Sequence, residues 1–319
     1  MKETSGLSVS VVMPIFNGES TIIKTLQSLL SQKDYFNELI IIDDASTDNS
    51  VKLLQDFIGD KFKYNFICHK EQLGLAKSYN EGINYSSGDL IVTLHQDVVL
   101  TDNSLKKLIA PFWDDEVVAS SHTVIHPMEI WEDYNFWQKC FFSRLAGKNF
   151  SGIDGKFDCF RKEALMKVGL FDEKHFRSAG EDADIVFRLK KIGKIVDSKA
   201  KIIHLHRVSD DFSYLDIIFK QKQYSESRGV LLRKGIIKNF RNFLEMFFRE
   251  LLVITLFIPF VACLSVFLIL LYSFWYTKLV YLKKYKNPKI AALPFLNIYL
   301  LFVSFIYTLK GFIYGKQKV

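Results

Sequence analysis

With 319 residues, 49% of them hydrophobic, and a formal charge of +7, the chain can hold one large domain plus an appendage, and its hydrophobic content is high for a purely soluble protein. The positive charge does not point to nucleic acid, because the basic residues gather beside apolar segments and no recognition motif accompanies them. Four separated cysteines, Cys68, Cys140, Cys159 and Cys263, form no Cys-x-x-Cys pair, which argues against a disulfide framework or a cysteine zinc site.

Strand-like and helix-like segments alternate through the first half, the pattern of a wound α/β domain. Residues 7–15 read as a first strand, and Ser20 is placed to cap a helix with Ile22, Ile23, Leu26, Leu29 and Leu30 on its apolar face. Residues 38–42 give a second strand. Asp48 or Ser46 then opens a helix with Val51, Leu54, Phe57 and Ile58 inward, ended by Gly59. A third strand covers residues 64–68. Past Gly74, the spacing of Leu75, Tyr79 and Ile83 predicts a short helix that Ser86-Ser87-Gly88 terminates. Residues 90–94 form a fourth strand, 104–112 a helix and 117–121 a strand, while the aromatic-rich residues 131–142 show no assignable period. Residues 159–168 read as a helix. Glu181 opens another with Ile185, Leu189 and Ile192 on one face, and residues 200–206 alternate like a final strand.

Two apolar stretches follow: residues 251–276 and 290–309 are uncharged over 26 and 20 residues, each long enough as a helix to cross a hydrocarbon core. Arg228, Arg233, Lys234, Lys238, Arg241 and Arg249 precede the first, and Lys283, Lys284 and Lys286 lie between the two, where anionic lipid headgroups are the expected partners. The connecting loop holds five lysines and the outer flanks eight basic residues, so the positive-inside rule favours cytosolic ends by a small margin. Pro259, Pro294 and Asn297 interrupt both segments, and a hairpin lying partly in the interface is the alternative. The first residues lack an apolar run ahead of a cleavage site, so the N-terminal domain is expected in the cytosol. The expected division is an α/β domain over residues 1–210, amphipathic basic interfacial helices over 211–250, and two transmembrane or membrane-embedded helices over 251–319.

Three acidic clusters stand out: Asp43-Asp44, His95-Gln96-Asp97 and Glu181-Asp182-Ala183-Asp184. The first two follow apolar runs of buried-strand type, and carboxylates at such strand ends face the ligand crevice of an α/β sheet. A crevice lined with acids suits a cation bridging to phosphates, or a base that removes a proton.

Val9-Ser10-Val11-Val12-Met13-Pro14-Ile15-Phe16-Asn17, Ile42-Asp43-Asp44-Ala45-Ser46-Thr47-Asp48, Gln72-Leu73-Gly74-Leu75-Ala76 with Asn80-Glu81-Gly82, and Gly180-Glu181-Asp182-Ala183-Asp184 with Arg188-Leu189 occur in this order. Together they resemble the inverting family-2 glycosyltransferases of GT-A fold, whose Rossmann-like nucleotide-sugar domain has a mixed, mostly parallel sheet; bacterial rhamnosyltransferases are the nearest likeness. The resemblance implies that Pro14, Phe16, Asn17 and Asp44 hold the nucleotide, a carboxylate being able to accept a base imide proton. Asp43 and Asp48 are helix-capping candidates instead. Lys77, Asn80, His95, Gln96, Asp154 and Glu181 are further expected substrate contacts, and Asp182 is the implied base. Relatives mostly carry Asp-x-Asp where His95 replaces the first acid, so Asp97 alone keeps a carboxylate for Mg²⁺ or Mn²⁺. His95 is a ligand, a sugar contact or a packed core histidine. His204, followed five residues later by Ser209, has the spacing of the family's metal-site histidine, with His206 as competitor on the same strand face. Lys77 and Arg161 are candidates to assist the leaving phosphate, or solvated surface cations.

Tyr224-Ser225-Glu226-Ser227-Arg228-Gly229 sits where processive synthases carry Gln-x-x-Arg-Trp, and that motif is absent. A chain-extruding synthase is therefore disfavoured, and Arg228 can grip either an acceptor's lipid phosphate or a headgroup. The resemblance implies transfer of one sugar, with inversion, from a nucleoside-diphosphate sugar to a lipid-linked (polyprenyl diphosphate) glycan on the cytosolic membrane face. Two alternatives are a polyprenyl-phosphate sugar synthase and a membrane-tethered nucleotide-sugar binding protein without turnover.

Overall fold

A computed structural model describes residues 6–177, 179–206, 211–237, 239–283 and 286–318, so Ser209, Lys238 and Lys284 lie outside the described residues. The chain divides into two compact units: Met1–Pro127, Gly147–Glu173 and Glu181–Val208 in the first, and Met128–Ala146, Lys174–Gly180 and Ser209–Val319 in the second.

In chain order the first unit contains β1 (Val9–Ile15), α1 (Ile22–Leu30), β2 (Glu38–Asp43), α2 (Ser50–Ile58), β3 (Tyr64–Cys68), α3 (Leu75–Tyr85), β4 (Leu90–Thr93), β5 (Val98–Leu100), α4 (Ser104–Ile109) and β6 (Val117–Ile125). After α5 (Met128–Glu132) and α6 (Phe136–Phe142) of the second unit, it resumes with β7 (Asn149–Gly152), β8 (Cys159–Arg161), α7 (Lys162–Val168), α8 (Glu181–Leu189) and β9 (Lys194–His204). The sheet runs β3-β2-β1-β4-β8-β6-β9-β5, with β7 beside β6. β1 pairs parallel with β2 and β4, and β2 with β3, which brings the carboxyl ends of these strands to one edge. β8 lies antiparallel between β4 and β6, and β9 runs parallel to β6.

Every residue of β1, β2 and β4 is buried, because helices cover both faces of the sheet. Alternate residues go to opposite layers. Val11, Met13, Leu39 and Ile41 pack with Leu26 of α1, Leu54 of α2 and Leu108 of α4. Val12, Ile40, Ile42 and Ile91 pack with Tyr79 of α3, Leu165 of α7 and Ile185 of α8. The period-two alternation thus fixes which helix lies on which face.

Several boundaries differ from expectation. Ser20 does not cap α1: Thr21 holds the cap position without a side-chain bond to the helix amides, and the Gly18 carbonyl accepts from both Thr21 and Ile22 N–H. Asp48 does serve the start of α2, accepting from Ser50 N–H at 2.9 Å, although Asn49 holds the cap position. The helix read over 104–112 tightens after Ile109 into a 3-10 turn, Ala110–Trp113, that contains Pro111. Residues 159–168 are a strand followed by a helix, since Cys159 to Arg161 pair with β4 on one side while β6 takes the other. Three residues are too few to display a period. β6 continues to Ile125, and β9 begins at Lys194, where register shifts against β6 and the positive φ of Lys199 blur its alternation.

The second unit is helical: α5, α6, α9 (Tyr214–Arg233), α10 (Phe240–Thr255), α11 (Ala262–Trp275), α12 (Lys278–Leu282) and α13 (Leu293–Tyr314). The first apolar stretch does not form the expected spanning helix. It breaks around Pro259 between Thr255 and Ala262, and α11 has 14 residues, about 21 Å of helix. By contrast Pro288–Tyr314 runs for 27 residues and reaches a mean hydropathy of 2.0 over its most apolar 18, one described helix long and apolar enough to cross a membrane. Phe295, Tyr299, Ile306 and Leu309 are exposed along it.

α9 and α13 meet through glycines. A Cβ on Gly311 would fall on the Glu226 carbonyl, and one on Gly229 on the Thr308 carbonyl and Phe312 amide. Neither backbone can yield locally within a helix, so Gly311→Ala is expected to destabilise this unit by about 2–3 kcal/mol. Thermal unfolding in detergent checks it against Gly6→Ala, where a Cβ meets open space.

Candidate active site

The loops after β1 and β2 form one wall. The Gln96 amide clasps the Phe16 backbone, accepting from its N–H at 2.9 Å and donating to its carbonyl at 2.8 Å. Gly18 lies against the same amide, and a Cβ there would overlap it. Phe16 is left 37% exposed at the crevice edge, whereas Pro14 is buried in β1 opposite Ile42. Asn17 and Ala45 both take positive φ, 48° and 64°, and the Asn17 carboxamide oxygen accepts from Thr47 N–H at 2.8 Å to tie the two loops together. Such left-handed non-glycine residues hold a conformation against local strain.

Asp44 is buried at the end of β2. Its carboxylate accepts from Leu73 N–H (2.7 Å) and Gly74 N–H (2.9 Å), fixing the turn ahead of α3. His69 stands 2.8 Å from the Asp44 Oδ1, with Glu81 2.7 Å from its other nitrogen. Burial opposes a charge on His69, yet the two carboxylates win and raise its pKa. Asp44 Oδ2 accepts one of these bonds and keeps acceptor capacity. Asp43 behaves as a turn residue, accepting from Ser46 N–H at 3.2 Å.

The second wall gathers nitrogen and oxygen donors. His204 ends β9 beside Val98 of β5, and its Nε2 lies 3.1 Å from Asp97 Oδ2. His95 Nδ1 is 3.9 Å from Asp97 Oδ1, and the His95 ring stacks on Tyr79 with centroids 6.3 Å apart. Burial disfavours the charge on Asp97, but the imidazoles of His204, His95 and His206 outweigh it and hold the carboxyl far below its usual range. Burial pushes His95 down to about 4, so that ring is neutral at physiological pH. Asp97 Oδ1, His95 Nε2 and His204 Nδ1 are buried without a hydrogen-bond partner among the described residues. Lone pairs left unused in a buried cluster of carboxylate and imidazole fit a divalent cation.

Lys156 joins the clusters. Its ammonium donates to Asp154 at 2.7 Å, and Asp97 and Asp182 also act on it; together they raise its pKa although burial opposes the charge. Asp154 sits 3.4 Å from His122 Nε2, and Asp158 3.0 Å from His122 Nδ1, so a fully buried imidazole spans the two acids. Asp158 also accepts from Asp154 and Gly155 N–H, and Tyr79 donates to the Gly155 carbonyl at 2.8 Å. Glu181 and Asp182 open α8, where Asp182 accepts from Ala183 N–H at 2.7 Å. Burial and the neighbouring Asp182 push Glu181 up to about 8, and burial raises Asp182 too. Glu181 is the more enclosed and keeps its proton, leaving Asp182 as the acid of the pair that ionises.

The model for glycosyl transferase family 2 matches residues 10–173, just over half of the 319. The chain belongs to glycosyl transferase family 2. It is 25% identical over 203 residues to an N-acetylglucosaminyltransferase of Rhizobium meliloti (strain 1021), covering 58% of this chain and 48% of that protein. To a poly-beta-1,6-N-acetyl-D-glucosamine synthase of Staphylococcus epidermidis it is 25% identical over 173 residues, covering 51% and 42%. The matches span less than half of either relative. Among solved structures, the mannosyltransferase PcManGT of Pyrobaculum calidifontis, in complex with GDP-Man and Mn2+, is similar at a TM-score of 0.60 and 14% identity over 94% of this chain and 87% of that one. GalNAc-T7 with UDP, GalNAc and Mn2+ is similar at 0.53 and 18% identity, covering 70% and 48%. The fold is a GT-A domain followed by a helical tail.

Within this family-2 domain, other expected contacts are engaged elsewhere. Asn80 uses its carboxamide on the loop after α7, donating to the Phe171 carbonyl and Glu173 and accepting from Phe171 N–H. Lys77 is 45% exposed and pairs with Glu173 at 3.1 Å. Arg161 is not a solvated cation: it is buried, donates to the carbonyls of Val117, Phe112 and Asp114, and pairs with Asp115 at 3.3 Å. Arg228 belongs to the helical unit, where it donates to Glu250 (2.9 Å), Ser304 (2.6 Å), Ser225 and the Met246 carbonyl. The sequence reading missed Lys156, His122, Asp158, His69 and His126. For Lys156 and Asp158 a signal existed, since they follow the candidate Asp154 at two-residue steps.

Proposed function

We propose that the chain transfers one hexosyl or deoxyhexosyl unit, with inversion, from a nucleoside-diphosphate sugar to a lipid-linked glycan at the cytosolic membrane face. The observation that carries this reading is the half-buried Lys156, which pairs with Asp154 at 2.7 Å while Asp97 and Asp182 also act to raise its pKa, with Asp44 at the end of β2 on the same sheet edge. Asp44, Asn17 and the exposed Phe16 would receive the nucleotide. A divalent ion such as Mg²⁺ or Mn²⁺, when held by Asp97 and His204, supplies charge neutralisation for the departing diphosphate. Lys156 adds a second positive charge there, a role the sequence reading gave to Lys77 and Arg161. Asp182 takes the proton from the acceptor hydroxyl as that oxygen attacks the anomeric carbon. His122, through Asp158 and Asp154, positions the 152–156 loop for the acceptor sugar. The apolar Pro288–Tyr314 helix supports a lipid surface as the setting. Arg228 is left out of the proposed contacts because both its terminal nitrogens are committed within the helical unit.

The test is turnover by the purified chain with labelled nucleoside-diphosphate sugars and extracted membrane lipids. Label appearing on a lipid-linked glycan, with release of nucleoside diphosphate, is the expected result. Label directly on a polyprenyl phosphate would move the acceptor to the lipid phosphate, and tight donor binding with no turnover under any divalent ion would overturn the enzymatic reading.

A further inference from the structure

His126 follows the last residue of β6, and the parallel register that sets Ile125 beside Ile203 brings it next to His204 at the end of β9. Its own backbone is held in place, donating to the Lys148 carbonyl and accepting from Gly147 N–H. His206 lies past the strand with a φ of 44°, a left-handed turn uncommon for a residue with a Cβ, and this turn folds its ring back onto the other two. The ring centroids are 3.8 Å apart for His204 and His206, 5.6 Å for His126 and His206, and 6.1 Å for His126 and His204. One ligand nitrogen from each lies within 4.8 Å of the others, so modest ring rotations bring all three onto an ion at about 2.1 Å.

We propose that His126, His204 and His206 form a nitrogen-donor face that makes this chain retain a transition-metal ion of the Zn²⁺ or Co²⁺ class in preference to Mg²⁺. Imidazole donors suit zinc, cobalt and iron, whereas Mg²⁺ demands oxygen and keeps its waters. Asp97 Oδ2 on His204 Nε2 leaves Nδ1 facing away from that bond, so this carboxylate orients a ligating histidine while its own Oδ1 is left without a hydrogen-bond partner among the described residues. The inference rests on the glycosyltransferase reading only in sharing His204, and a metal titration without donor or turnover tests it separately.

The full chain, stripped with chelator, is titrated with Co²⁺ by visible absorption, with Zn²⁺ by competition against a chromophoric chelator, and with Mg²⁺ by displacement of Co²⁺. Any mixed nitrogen and oxygen site prefers Zn²⁺ to Mg²⁺ to some degree, so the decisive readout is the effect of removing one imidazole. His126→Asn is expected to weaken Co²⁺ and Zn²⁺ binding about tenfold or more while leaving Mg²⁺ within about twofold. His206→Asn provides a second variant, because asparagine tolerates positive φ and preserves the turn if His126→Asn fails to fold. Unchanged Co²⁺ affinity in both variants overturns the proposal, as does an equal loss for Co²⁺ and Mg²⁺. Cobalt binding lost in Asp97→Ala but kept in both histidine variants also overturns it.

Discussion

Asp182→Asn is expected to lower turnover about 10³-fold while leaving donor affinity within a few-fold of wild type. An acceptor hydroxyl is a poor nucleophile until its proton has somewhere to go, and asparagine of the same shape cannot accept that proton. Glu181 cannot substitute, because burial and the charge of Asp182 hold it up to about 8 and it stays protonated at neutral pH. The pair therefore divides its roles: one acid stays neutral so that the other can ionise. Burial also raises Asp182 above its ordinary 3.8, opposed by the Ala183 N–H and the Lys156 ammonium. A base must be ionised to act, so kcat/KM falls as pH drops through this raised pKa, and the acid limb should sit above pH 3.8. Single-turnover rates across pH, with circular dichroism to verify folding, measure both effects. A near-wild-type rate in Asp182→Asn would exclude Asp182 as the base.

Motif-scale features of the fold were legible because they are covalently local. The runs ending at Ile42 and at Leu94 show strand character, and the position of the acids just beyond them puts both at the carboxyl edge of the sheet. What the sequence hid was set by contacts between distant segments. β8 is three residues long, and its strand character comes from β4 and β6 on either side of it rather than from its own pattern. Lys156 looks like a surface lysine until Asp97, Asp154 and Asp182, 59, 2 and 26 residues away, are brought around it. His126 has no chemistry-bearing neighbour in sequence and acquires two only through the parallel pairing of β6 with β9. The break at Pro259 was noted as an imperfection within a span; its effect is larger, because a 14-residue helix remains after it.

Asp97→Ala is expected to cut turnover by about 10³-fold and to abolish its rescue by added divalent ion. In most relatives, as the resemblance implies, two acids share this work, so the loss of one leaves a carboxylate behind. Here His95 occupies the first position and is neutral, and Asp97 is the one carboxylate in direct contact with His204 among the described hydrogen bonds. Its removal takes away the charged oxygen donor and also frees His204 Nε2, so the remaining imidazole loses its orientation. Asp97→Asn separates the two losses. The asparagine oxygen can still accept from His204 Nε2–H, which keeps the ring in place, but it brings no charge to a cation or to the developing diphosphate. The expected order of metal affinity is therefore wild type, then Asp97→Asn, then Asp97→Ala, read by isothermal titration with Mn²⁺. If Asp97→Asn matched wild type, orientation of His204 would be the whole contribution of Asp97; if Asp97→Ala matched it, the cation would be held without this residue, and the division of labour among the three acidic clusters would have to be redrawn around His204.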